Sequence, residues 1–172
     1  RGGLAALVDT FDMADVASMA AAGVRLDRLL WVRGESSTSA FPPLTNGRRQ
    51  PGADRALARA LKAANLILQS GAMSLVALDV ADAPLQALRR VPITTWLRLQ
   101  KVVEGQSTAA LIVGSVPMSR SAGGVTLGLR QLGARGLAPG AGGIESEARI
   151  QRARLVPGMG APVRLTAAAL VA

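Results

Sequence analysis

The sequence predicts an α/β protein, a mainly parallel sheet flanked by helices with antiparallel strands added at its edge near the C-terminus. Three observations carry that prediction. Short apolar runs alternate with helical stretches up to residue 115. The runs are apolar nearly throughout instead of alternating, which marks strands covered on both faces. With two Phe, two Trp and no Tyr, the core must be built of Leu, Val, Ile and Ala, which suits helices on a buried sheet. At 172 residues the chain is read as one domain, 1–172, with enough length for a real core.

The elements follow in order. "GLAALVDTF" (3–11) is a strand ending in Asp9, and Asp12 is placed to cap the helix "MADVASMAAAG", which stops at Gly23. "RLLWVRG" (28–34) is a second strand, completing a parallel crossover unit. Residues 35–54 hold three Pro and two Gly among small polar residues, the signature of a long flexible loop. Helix resumes over 53–71, with Leu57, Leu61, Ala64 and Leu68 as its apolar stripe. "MSLVALDV" (73–80) is a central strand, "TTWLRLQKVVEG" (94–105) a helix and "TAALIVGS" (108–115) another buried strand. Residues 116–143 form a Gly/Arg-rich loop region. "IESEARIQRARLVPG" and "APVRLTAAALV" are strands joined by a turn at "PGMG".

Composition excludes several function classes. The chain has no Cys and no His. That removes disulfides, thiolate metal sites and every Ser-His-Asp or Cys-His scheme. No run reaches the roughly 18 apolar residues of a membrane span, and no secretory signal opens the chain. The expectation is a cytoplasmic protein without a membrane partner. Charge is uneven. Residues 1–82 carry nine Lys/Arg against eight Asp/Glu, and residues 83–172 carry eleven against three. Such asymmetry fits an anionic partner. It also fits solubility in an Arg-rich proteome, since eighteen of the twenty bases are Arg.

The order of these pieces resembles the ATPase core of the RecA recombinase family. "LVDTFDMAD" matches its strand ending "DAEHAL", "ALARALKAANLILQSGAMSLVALDV" its long helix and strand ending "VVDS", and "TAALIVGSVPMS" the strand that follows. "SAGGVTLGLR" is similar to the Gly-Gly segment after the second DNA-binding loop. The shortened, Arg-rich form most resembles ImuA-type proteins, RecA-like accessory factors of bacterial translesion synthesis in the SOS response. The resemblance implies a RecA-like core, an inactive Y-family polymerase-like partner, and RecA itself or a second copy as further partners.

Within that resemblance Asp79 takes the place of the Walker-B-like carboxylate that orients magnesium. A strand-end Asp is otherwise a turn former, capping "DVADAP"; that second role is preferred, for three reasons. No G-x-x-x-x-G-K-[ST] phosphate loop occurs in the 172 residues, and the expectation is a fragment that lacks this region. Phe11 stands where the family has its water-activating carboxylate, and phenylalanine accepts no proton. Ser115 stands where the family senses the γ-phosphate with Gln. The expectation is therefore no catalytic residue, no cofactor, no metal and no hydrolysis.

DNA contact is expected at the two shortened loops. "ADAPLQALRRVP" brings Arg89 and Arg90, and "PMSRSAGGV" brings Arg120, Gly123 and Gly124, with Arg130 just beyond. Arg there contacts phosphate without reading sequence, so the DNA would be bound non-specifically. Neither loop has an aromatic to stack on bases. For a protein partner the candidates are Trp96 as an anchor, and Arg149, Arg152 and Arg154, placed on both faces of an edge strand. The plainer alternatives are a core Trp and a solvated edge guarded by charge.

Overall fold

The computed structural model describes residues 2–34, 51–118, 124–136, 141–153 and 163–170. In chain order the elements are β1 (Ala5–Asp9), α1 (Val16–Ala21), a 3-10 turn (Leu26–Arg28), β2 (Leu29–Arg33), α2 (Pro51–Ser70), β3 (Leu75–Asp79), α3 (Leu85–Arg90) and α4 (Ile93–Val103). β4 (Ala109–Val113), β5 (Val125–Gly136), β6 (Ala141–Ala153) and β7 (Val163–Leu170) follow. They divide into two compact units, Arg1–Ala14 with Arg25–Ser119, and Asp15–Val24 with Arg120–Ala172.

The first unit is a four-stranded parallel sheet in the order β2-β1-β3-β4. Side chains alternate across a strand, and only one set is fully covered. Ala6 and Val8 of β1, and Val76 and Leu78 of β3, are each 1–2 % exposed. They pack in one cluster with Leu57, Leu61 and Leu68 of α2, Ala87 and Leu88 of α3, and Trp96 and Leu99 of α4. Burying one such Leu is worth about 1.5–3 kcal/mol, so this face holds the unit together. The other set is open: Leu75 is 38 % exposed and Leu111 is 49 % exposed, and Ala77 is half-buried.

This corrects two expectations. β3 is central but covered on one face, and β4 is an exposed edge strand. An apolar run shows that a strand tolerates burial on both faces; whether a second layer reaches it is decided by the rest of the chain.

Helix starts also differ from the sequence reading. Asp12 does not cap α1. Its backbone is left-handed, with φ of 57°, a conformation Asp tolerates better than most residues. Its carboxylate instead takes a two-pronged ion pair from Arg33, at 2.6 and 2.8 Å. Asp15 is the N-cap, accepting from the Ser18 N–H at 2.8 Å. α2 begins at Pro51, the first helical turn being where proline is tolerated. The loop expected over 35–54 is thus shortened from its end, and 35–50 lies outside the described residues. The stretch read as a DNA loop, 81–92, folds instead into α3, whose last turn carries Arg89 and Arg90.

The second unit holds an antiparallel sheet in the order β5-β6-β7. The pairing of β6 with β7 is as expected; the turn at 157–160 lies outside the described residues. These strands form their own sheet instead of extending the parallel one. Within 116–143, residues 125–136 are β5 and 141–143 begin β6, where loop was expected. Glycine weakens a strand's own propensity, so β5 is not legible from composition. At Gly128 the reason for glycine is close approach, since an added Cβ would lie 2.3 Å from Gln151 Nε2.

Candidate functional site

The carboxyl ends of β1, β2 and β3 bring together the polar groups of the parallel sheet. Ligands bind at this end in open parallel sheets. Asp9 and Asp79 are register partners on adjacent strands, yet their surroundings differ.

Asp9 is 1 % exposed and fully engaged. Its Oδ1 accepts from the Met13 N–H at 3.0 Å; its Oδ2 accepts from the Ala14 N–H at 2.9 Å and the Trp31 indole N–H at 3.3 Å. These three N–H donors satisfy the buried carboxylate. Asp9 therefore shapes the turn after β1 and fixes the Trp31 ring. Arg33 stacks over that ring at 4.7 Å from its centroid while pairing with Asp12. The Arg33 guanidinium hydrogen-bonds the Asp12 carboxyl and holds its pKa below the usual carboxylate value.

Asp79 is half-buried. Its Oδ1 accepts from the Ala81 N–H at 2.9 Å, the turn-capping contact that the sequence reading preferred. Its backbone carbonyl accepts from the Thr10 hydroxyl at 2.5 Å, tying β3 to the turn after β1. Burial pushes its pKa up; the Ala81 N–H opposes this, and the neighbouring charges of Asp9 and Asp82 add to it. Backbone packing is tight here too. Gly34 donates to the Asp9 carbonyl at 2.7 Å, and a Cβ on Gly34 would fall 1.9 Å from the Thr10 carbonyl oxygen.

Chemically, the arrangement is a locked strand end carrying a half-buried carboxylate, Asp79, whose pKa burial pushes up. Among the described residues no three His, Cys, Asp or Glu side chains cluster to hold a metal. Phe11 is 2 % exposed and belongs to the core. None of Asp9, Trp31 and Arg33 was read as a site residue from sequence. The one signal available was that Asp9 ends an apolar run and lies four and five residues before two N–H groups of a turn.

The remaining candidates divide between the two units. Arg89 and Arg90 are exposed on α3, with Arg90 3.4 Å from Asp54. Trp96 is 6 % exposed in the core, which is the plainer alternative and leaves it little surface to offer a partner. Gly124 is half-buried beside β5. Arg120, Gly123 and Arg154 lie outside the described residues.

Arg130, Arg149 and Arg152 come together. Thr126 faces Arg152, and Gly128 faces Arg149, across a register shift between Thr126 and Leu127. The extra residue, Gln151, is a β-bulge. Without it Arg149 and Arg152 would point to opposite faces, as the sequence reading had them; with it they share the face of Arg130. Glu147 lies 3.5 Å from Arg130 and 3.9 Å from Arg149 on that same face. β6 is paired on both sides over Gly142–Ala148, and among the described residues only β5 pairs with it from Arg149 to Ala153.

No protein-family model matches the chain, and no curated protein matches it. No helix among the described residues is long and apolar enough to cross a membrane.

Proposed function

We propose that the chain is a non-hydrolysing, RecA-like accessory protein of bacterial translesion synthesis, of the ImuA type, acting as a scaffold for an inactive Y-family polymerase-like partner. The observation that carries this reading is the state of the strand-end carboxylates. Asp9 is consumed by three N–H donors, Asp79 caps the Ala81 turn, and Phe11 is core where hydrolysis would need a base. The bulge-aligned Arg130, Arg149 and Arg152 supply a face for DNA phosphate, with affinity that falls as salt rises.

Calorimetry of the full-length protein with ATP and ADP in magnesium, beside a single-stranded DNA titration, tests the proposal. The expected result is no nucleotide turnover, with or without DNA. ATP binding with DNA-stimulated hydrolysis would refute the scaffold and leave the second reading, an ATP-dependent DNA-binding RecA-type protein whose phosphate loop lies upstream. What favours that second reading is Asp79 itself, at the carboxyl end of a central parallel strand with Oδ2 accepting no hydrogen bond among the described residues.

A further inference from the structure

The basic face of the second unit carries an anion of its own. Glu147 of β6 stands between Arg130 of β5 and Arg149 of β6. A single carboxylate oxygen, Oε1, lies 3.5 Å from the Arg130 guanidinium and 3.9 Å from that of Arg149. Both distances exceed the roughly 2.7–2.9 Å of a close charge-assisted hydrogen bond. The arginine side chains are 71 % and 60 % exposed and the Glu147 side chain 17 %, so the carboxylate lies low between two arginines that reach outward. Ion pairs this loose and this open to water contribute little to stability. Two guanidinium groups converging on one oxygen is an arrangement that receives phosphate, and here a carboxylate fills the place.

That place is one step of a longer row. Arg152 stands at the level of Thr126 and Arg149 at the level of Gly128, and Arg130 lies two residues further along β5. Each level is about 7 Å from the next, two residues of an antiparallel strand. Gln151 joins the row from the bulge. Its side chain lies where a Cβ on Gly128 would be, which puts its amide on this same face, and the residue is exposed. Donors therefore recur at every level from Arg152 to Arg130. A small free anion would use one level only. An extended peptide would need an acidic residue at every second position to follow the row. A nucleic-acid strand carries a phosphate on every nucleotide whatever its sequence, and its phosphates repeat at a comparable step.

We propose that Glu147 is a built-in stand-in for a phosphate, displaced when one strand of DNA lays its phosphates along Arg152, Gln151, Arg149 and Arg130. Glu147 keeps the face weak, because its charge opposes any phosphate that approaches Arg130 or Arg149. Arg152 and Gln151, at the other end of the row, make first contact, and the strand then competes with the carboxylate for the remaining two arginines. The inference rests on the DNA face of the proposed function; it adds the regulation of that face and one contact residue, Gln151.

Fluorescence anisotropy of a labelled oligothymidylate over a salt series, with the whole protein, tests it. Glu147→Gln should tighten binding about fivefold, the effect of one unit charge at contact distance in water. It should also steepen the salt dependence by about one phosphate contact. Glu147→Asp draws the charge back from both arginines and should fall between the two, which keeps the test open if the Gln variant does not fold. Gln151→Ala should weaken binding by about two- to tenfold, the loss of one neutral hydrogen bond. Arg130→Gln should weaken binding more in the Glu147→Gln chain than in the parent, since there its charge is no longer opposed. A Glu147 that merely held the sheet together would not produce that coupling. Binding by the parent with Glu147→Gln no tighter overturns the role of Glu147 and leaves the DNA face standing. No binding by either chain at low salt overturns the DNA face and this inference with it. Oligoglutamate competing as well as unlabelled oligothymidylate overturns DNA as the occupant.

Discussion

Replacing Asp9 by Asn changes one atom in a site where both carboxylate oxygens are in use. With its oxygen at the Oδ2 place, the amide keeps the Ala14 and Trp31 contacts, at 2.9 and 3.3 Å. Its NH2 then faces the Met13 N–H, whose present distance to Oδ1 is 3.0 Å, and two donors cannot bond one another. The loss of that bond costs about 1.5–3 kcal/mol, the range for hydrogen bonds to charged groups. The two retained bonds weaken as their acceptor becomes neutral. The total is about 3 kcal/mol, which for a chain of this length is a fall in midpoint of roughly 6–12 °C. Urea unfolding followed by tryptophan fluorescence measures it, because Trp31 reports the site directly. The same change at Asp79, where a single N–H is at stake, should cost clearly less. A loss below about 0.5 kcal/mol for Asp9→Asn would show that the strand-end turn is not held by this carboxylate, and the argument for a locked site would fail.

Three further outcomes are expected. Asp79 has its folded pKa raised above its ordinary value of 3.8, so the folded state binds its proton more tightly than the unfolded state. That contribution is complete below the unfolded value and is lost as pH rises through the folded one. The stability of Asp79→Asn relative to the unsubstituted chain should therefore improve between about pH 3 and pH 7, and unfolding series showing the opposite trend would contradict the raised value. Gly34→Ala should cost about 2–3 kcal/mol, since the added Cβ meets the backbone carbonyl of Thr10 and not a side chain that could turn away; thermal unfolding within a degree of the parent would refute that packing. Arg149→Glu with Arg152→Glu should lower single-stranded DNA affinity and flatten its salt dependence by about two phosphate contacts, whereas an unchanged slope would remove this face from the DNA proposal.

Much of the parallel sheet was legible because burial leaves a direct mark on a strand. "AALVD" and "LVALD" are apolar nearly to their final Asp, and the stripe at Leu57, Leu61, Ala64 and Leu68 has helical period, so β1, β3 and α2 followed from sequence. The preference for Asp79 as a turn cap rested on the same local chemistry. What failed was whatever depends on residues distant in sequence. Nothing around Leu75 or Leu111 says whether a second layer will cover that face. Gly128 and Gln151 are twenty-three positions apart in sequence, yet together they make the bulge that turns Arg152 to the side of Arg149. Asp12 and Asp15 are equivalent caps by residue type, and Arg33, approaching from the next strand, removes Asp12 from the choice. Asn65 looks like any polar residue on an amphipathic helix, and only the folded chain buries its Oδ1 without a hydrogen bond. By itself the sequence determined the periodicities, the absence of His and Cys chemistry, and the lack of a phosphate loop in this chain, since these are properties of neighbours along it. Only the tertiary structure decided which face stays open, which carboxylate is consumed and which arginines share a face, because each depends on distances across strands and helices that no local pattern encodes.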